Sequence, residues 1–194
     1  AGLSLIPVLF GNLPLILWPV HIVFLELIID PACSIIFEAE KEELNVMIRP
    51  PKSLTDKFFG LKKILLSCMQ GLSILIVTLV IYGAGLYFGF SDKEVRAMAF
   101  TTLIVSNIAI ILTNRSWTAN IFEIIATPNK AVLWVVGGAI FFMVLILNIP
   151  FFLDLFQFEK LHFLNIVICI LAGLATIVWF EIYKRVKLIK HVSL

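Results

Sequence analysis

The sequence predicts an all-α membrane protein, a polytopic bundle of about five transmembrane helices with the remnant of one more helix at its N-terminus. Three observations predict it. Of the 194 residues, 61% are hydrophobic and 14% charged, where an ordinary soluble domain has about a quarter charged. The mean hydropathy is +1.06, more apolar surface than a chain of this length can hide within itself. The apolar residues also come in runs near the ~20 residues that a helix needs to cross a bilayer. Soluble globular, disordered, fibrous and disulfide-rich secreted classes are excluded on these grounds. A net charge of +2 points to no nucleic-acid partner, and the partner that composition implies is the lipid bilayer.

Residues 1 to 10, AGLSLIPVLF, are apolar but too short to span, and they lack the basic start of a signal peptide. They read as the end of a truncated preceding helix. Residues 11 to 194 read as a C-terminal transmembrane domain, with spans at 15 to 37, 64 to 90, 97 to 113, 131 to 152 and 163 to 183. Lys and Arg alternate in density along the connections. Twelve fall in the first loop, the third loop and the C-terminal tail, against Lys93, Arg96 and Lys160 on the other side. Basic residues collect on the cytoplasmic side, so the expected topology has an external start and a cytoplasmic C-terminus in the cell (inner) membrane. An external start without a signal peptide reads as the C-terminal piece of a larger polytopic protein.

Within the spans, carboxylates are the costly residues, at roughly 2.5 to 3.5 kcal/mol each at mid-bilayer on insertion scales. Glu26 lies at the centre of the first span and Asp30 four residues on, about 6 Å along the axis and on the same helical face. No Lys or Arg lies at matching depth in any span, and a hard cation with oxygen ligands fits this pair best. Pro31 follows directly. Its missing amide leaves the Leu27 carbonyl without its helical partner, and broken helices of this kind hold ions in many transporters. Pro19 should loosen the outer half of the same helix. Asn107, in the third span beside Thr102 and Ser106, supplies either one carbonyl ligand or a helix-joining hydrogen bond.

The other intramembrane features read as structural. Gln70, Thr78 and Asn148 are expected to make interhelical hydrogen bonds, and Glu181 an ion pair with Lys184 or Arg185 at the membrane edge. Gly85 and Gly89 form a GxxxG spacing that favours close helix approach. Trp18, Trp134 and Trp179 belong near span ends. Cys33, Cys68 and Cys169, without CxxC spacing, read as small core residues. The stretch from Glu38 to Lys63, built around the double proline Pro50 and Pro51, reads as a solvated cytoplasmic loop. No P-loop, GxGxxG, HExxH or Ser/His/Asp constellation occurs, and His21, His162 and His191 are too scattered for a metal cluster. No catalytic or cofactor-binding residue is therefore expected.

The run NLPLILWPVHIVFLELIIDPACSIIFEAE, followed by NVMIRPPK, resembles the sixth transmembrane helix and following loop of P-type cation-transporting ATPases, nearest the calcium-pump branch. The matching residues are Pro19, Val20 and His21, then Glu26 and Asp30, then Arg49, Pro50 and Pro51. AMAFTTLIVSNIAIILTNRS resembles the eighth helix and PNKAVLWVVGGAI the start of the ninth, so the likeness covers essentially the whole chain. It implies helices six to ten of such a pump, with Glu26, Asp30 and Asn107 at positions whose side chains ligate the transported cation. Calcium is the cation implied, with magnesium, manganese, sodium and protons as rivals. Ile29 stands where a threonine is often found, and the amide of Asn107 where calcium pumps carry a carboxylate. Pro31, in place of the usual glycine, resembles a bacterial subgroup. Asp-Lys-Thr-Gly, TGE and GDGxND are missing from the chain. Mg-ATP chemistry is expected only in absent cytoplasmic domains, which with the missing N-terminal helices would be this chain's partners in the parent pump. A stand-alone secondary cation or proton carrier using Glu26 and Asp30 is the alternative, and a non-transporting scaffold a further one.

Overall fold

The computed structural model describes Leu3, Leu9 and residues 13 to 40, 60 to 115 and 129 to 192. Most of the expected helix remnant at 1 to 10, and the first-loop residues 41 to 59, lie outside the described residues. All regular structure among the described residues is helical. The elements are α1 (Pro19–Phe24), a π-helical turn (Leu25–Ile29), α2 (Asp30–Glu38), α3 (Leu61–Tyr87), α4 (Asp92–Asn114), α5 (Lys130–Asn148), α6 (Pro150–Leu155), α7 (Phe163–Ala175) and α8 (Val178–Val192).

Four helical stretches are long and apolar enough to cross a membrane: Ile64–Tyr87, Asp92–Asn114, Lys130–Asn148 and Phe163–Arg185. The expected first span differs from them. Residues 15 to 18 are not helical, because Pro19 disfavours the α conformation at Trp18, whose ψ is 162°. Pro19 occupies the first turn of α1, where its missing amide costs nothing, so it starts the helix and does not loosen it. From there α1, the π turn and α2 follow without a break to Glu38. The third span begins at Asp92, ahead of the expected 97, because the Ser91 hydroxyl accepts the Glu94 amide at 3.1 Å and caps the helix. Arg96 is consequently a buried helix residue, not part of a polar connection. The fourth span stops at Asn148, short of the expected 152. Pro150 holds Ile149 extended at ψ 124° and opens the short α6.

α4 is the core of the bundle. Within its apolar stretch 72% is buried, against 17% for α3, 22% for α5 and 33% for the last span. It packs chiefly between α3 and α7, and glycine permits both approaches. A Cβ at Gly85 would lie 2.9 Å from Val95 Cγ2, and one at Gly173 only 2.6 Å from Val105 Cγ1. Gly89 does not pack at all. Its φ is +77° and an added Cβ would meet nothing within 4 Å, and it ends α3: its amide meets the Leu86 carbonyl, and the Phe90 amide meets that of Gly85. Gln157 serves the same purpose after α6 with φ +52°. The hydroxyls of Thr101, Thr102 and Ser106 each bond the carbonyl four residues back, at 2.8, 2.9 and 2.8 Å. These polar groups sit inside the bundle at little cost because α4 satisfies them itself.

On the outer faces, Leu65, Leu72, Ile76 and Val80 of α3 and Leu133, Trp134 and Phe141 of α5 are exposed, an apolar surface suited to lipid. Cys169 is fully buried as expected of a small core residue, whereas Cys68 lies exposed on the weakly buried α3. Of the expected interhelical bonds, Gln70 pairs with Asn114 at 3.1 Å. Asn148 instead bonds Val144 of its own helix, and the buried Thr78 hydroxyl has no partner among the described residues.

Candidate functional site

Both ends of the helical rod that carries Glu26 are fastened to α4 or its surroundings. At the Ser91 end of the bundle, the extended segment before α1 gives up its carbonyls to side chains. Tyr82 donates to Pro14 at 2.6 Å and Arg96 Nε to Leu15 at 3.0 Å. Arg96 also donates through Nη1 to the Gln157 carbonyl at 2.8 Å and lies over the Trp18 ring at 5.4 Å. His21 completes this clamp. Its Nδ1 accepts the Trp18 amide at 2.8 Å, so Nε2 carries the proton that is donated to the Phe156 carbonyl at 2.9 Å. The first of these bonds is the arm that Glu or Gln supplies in a capping box. Phe158 stacks on the ring at 4.9 Å. A neutral imidazole with both nitrogens engaged is a structural fixture, and sequence reasoning that looked only for metal clusters gave it no role.

At the opposite end, where α4 finishes, Glu40 receives Arg115 Nε at 2.8 Å and a second guanidinium nitrogen at 3.1 Å. Asn129 Nδ2 donates to the same carboxylate at 3.0 Å while its Oδ1 caps α5. Lys184 donates to the Thr113 carbonyl, where a cation suits the negative end of the α4 dipole, and pairs with Glu181 at 3.3 Å, as the sequence suggested. The Arg115 hydrogen bond holds the Glu40 carboxyl below the ordinary value of 4.5, against the opposing effect of its partial burial. A depressed carboxylate contributes stability that is complete above the unfolded value and disappears as pH falls through the folded one. Glu40→Gln should therefore lower the thermal midpoint at pH 7, by an effect of about 1 kcal/mol or less at this partly exposed site. The gap to the parent protein should close below about pH 4.5. A gap that persists unchanged in acid would show that the charge of Glu40 is irrelevant.

Between the two fastenings lies the candidate cation site. Glu26 sits in the π turn and is exposed, and it makes no hydrogen bond or ion pair among the described residues. Asp30 is the first residue of α2, with Pro31 in the first turn; its side chain lies outside the described residues. The expected break at Pro31 takes the form of the π turn ahead of it, and turns of this register occur frequently at functional positions. Asn107 is half-buried on α4. Phe24 meets Phe100 edge-on at 5.7 Å. Asn107 is seven residues past Phe100 and Asp30 six past Phe24, so both lie about 10 Å further along parallel-running helices, and Asn107 shares the face of Phe100. Counted along the two helices from that ring contact, Asn107 falls near the level of Asp30. It does not close a cluster: no group of three His, Cys, Asp or Glu able to hold a metal occurs among the described residues. The exposed Glu26 carboxylate and, about one helical turn further along, the Asn107 amide oxygen could supply part of a hard-cation shell of six to eight oxygens.

Residues 14 to 186 match the family model described as cation transporting ATPase, C-terminus. The chain is 26% identical over 187 residues to a calcium-transporting ATPase type 2C member 1 of Homo sapiens, covering 94% of this chain and 20% of that protein. It is 30% identical over 181 residues to a calcium-transporting ATPase type 2C member 2 of Mus musculus, covering 92% and 19%. With calcium-transporting ATPase 1 of Yarrowia lipolytica it shares 26% over 144 residues, covering 74% and 15%. The chain spans a fifth or less of the length of these relatives. With nearly its whole length matched, this multi-pass helical chain belongs to the cation-transporting ATPase family, in its C-terminal membrane region.

Proposed function

We propose that the chain is the C-terminal membrane region of an ATP-driven calcium pump and that Glu26, Asp30 and Asn107 supply oxygen ligands to the transported cation. The observation that carries this reading is the π turn in an apolar helix at Glu26, a glutamate with no hydrogen bond or ion pair among the described residues, about one helical turn before the level of Asn107 on the core helix. A carboxylate without a protein counter-ion in such a helix is expensive, and an incoming cation offsets that cost. Calcium suits a flexible shell of carboxylate and amide oxygens better than magnesium, which keeps its waters and demands octahedral geometry. Manganese, sodium and protons are the other candidates. Helices that precede this chain would complete the shell.

In this reading Mg-ATP binds cytoplasmic domains outside the chain, which transfer the γ-phosphoryl group to an aspartate there and release ADP. The resulting rearrangement rocks the helices and alternates access to Glu26 and Asp30. The protein lies in the inner membrane with its C-terminus in the cytoplasm. Vesicles carrying the full-length protein should form a hydroxylamine-labile phosphoenzyme from ATP only when calcium is present, with saturation at micromolar calcium on the order of sensor-type sites. Phosphorylation that ignores calcium but follows another cation would replace the ion. Gradient-driven cation flux through the 194-residue chain without ATP would overturn the pump reading.

A further inference from the structure

The clamp at the Ser91 end contains a charge that its hydrogen bonds do not neutralise. Arg96 stands in the second turn of α4, inside the membrane-length stretch Asp92–Asn114, where an ionised side chain is costly unless it is paired or reaches water. An arginine this close to a helix end can extend to the membrane surface. Arg96 does not. It is 6% exposed, and its guanidinium turns inward to the Leu15 and Gln157 carbonyls and the Trp18 ring. All three partners are neutral, and Arg96 makes no ion pair among the described residues. Of the acids beside it on α4, Asp92 is exposed one turn earlier and Glu94 gives its carboxylate to Asn165 at 2.9 Å. Neutral donors would satisfy two carbonyls at a smaller desolvation cost, so the charge itself asks for a reason.

The place of that charge relative to the cation site supplies one. The guanidinium lies 5.4 Å from the Trp18 ring, and Glu26 follows Trp18 by eight residues of α1 and the π turn, about 12 Å. Asn107 is eleven residues past Arg96 within α4, about 16 Å. A cation held between Glu26 and Asn107 is therefore about 15 Å from the guanidinium, and the Phe24–Phe100 contact fills part of the space between them. Charges separated by packed side chains are screened far less than charges separated by water. We propose that Arg96 tunes the cation site through its charge, lowering the affinity for the transported cation from the Ser91 side of the bundle. The proposal rests on the pump reading above. In the topology given there, the Ser91 side faces away from the ATP-driven domains. A fixed positive charge on that side helps a bound cation to leave and opposes its return.

The test is the calcium concentration that half-saturates phosphorylation of the full-length protein by ATP. Arg96→Gln keeps an amide donor, and Arg96→Met keeps the apolar stem. Each removes the charge and should lower the half-saturating calcium by about tenfold, midway in the range of about 2.5- to 40-fold that Coulomb's law gives for effective dielectric constants of about 80 and 20. The phosphoenzyme level at saturating calcium should be kept. Arg96→Lys keeps the charge and loses the guanidinium fork, and it should stay within about threefold of the parent because the field is retained. A clamp that acts only through its hydrogen bonds cannot tighten binding when it is broken, and it would make the lysine variant fail like the neutral ones. If neither neutral variant binds calcium more tightly than the parent, whether it is unchanged, weakened or unable to form phosphoenzyme, the proposal is overturned. It is overturned equally if Arg96→Lys tightens binding as much as they do. Glu26→Gln, run alongside, separates the two readings. If it leaves the half-saturating calcium unchanged, the cation-site assignment fails; if it shifts it and the neutral Arg96 variants do not, the electrostatic proposal fails alone.

Discussion

On the proposed pump reading, replacing Glu26 by Gln or Asp30 by Asn in the full-length protein should abolish cation-dependent phosphorylation at physiological calcium, with apparent affinity falling by about 100-fold or more. The size follows from charge counting, since carboxylate number tunes oxygen-ligated calcium sites over several decades of affinity. It also follows from what surrounds Glu26. The side chain is exposed from the bundle and makes no ion pair or hydrogen bond among the described residues, so its removal disturbs no internal contact. Asn107→Ala should cost less, about tenfold, because an amide oxygen carries no net charge. Direct measurement of calcium-dependent phosphoenzyme in each variant decides the matter. Unchanged cation affinity in both acidic-residue variants would remove Glu26 and Asp30 from the site and leave the π turn as a structural irregularity.

Gly173→Ala should damage the bundle itself, lowering the thermal midpoint of the purified protein by the equivalent of about 1 to 3 kcal/mol, the usual cost of forcing atoms into a filled core. The new methyl would lie 2.6 Å from Val105 Cγ1, 2.8 Å from Val105 Cβ and 3.2 Å from the Ser106 amide nitrogen. Because Ser106 also belongs to α4, relief requires the two helices to separate. Cys169, fully buried one turn earlier, shows that α7 presents a stripe of small residues to α4, the arrangement that lets membrane helices approach closely. Val105→Ala should rescue Gly173→Ala only in part, since the Cβ of residue 105 remains in the way. At Gly85 the same logic gives a different outcome: an added Cβ meets Val95 Cγ2 at 2.9 Å but Val95 Cβ at 3.5 Å, so Val95→Ala should restore Gly85→Ala fully. Equal rescue at both positions would show that the α4–α7 separation adjusts freely.

Glu26, Asp30 and Asn107 stood out in the sequence because polar groups in apolar runs are few and each has a cost. Glycine illustrates the opposite case. Gly85 and Gly89 share a recognisable spacing, yet only Gly85 lies at a helix contact, while Gly89 terminates α3 in a left-handed conformation. Gly173, at the tightest of the described approaches, has no second glycine four residues away and carries no pattern of its own. Arg96 likewise looked like one more charge on a connection. Its true environment, under the carbonyls of Leu15 and Gln157 and over Trp18, depends on three segments far apart in the chain.

The sequence by itself determined the helical class and most of the membrane-length helices, pointed to the family, and singled out two acids in an apolar run. The class and the apolar helices follow from local composition and period, since lipid demands long apolar helices wherever the chain crosses, whereas the family came from the resemblance of particular residues, among them Pro19, Val20 and His21 and then Arg49, Pro50 and Pro51. Only the tertiary structure decided that the Glu26 helix widens into a π turn, that α4 is the buried core, and that His21, Arg96 and Arg115 fasten the rod at its two ends. Those outcomes depend on which distant groups meet.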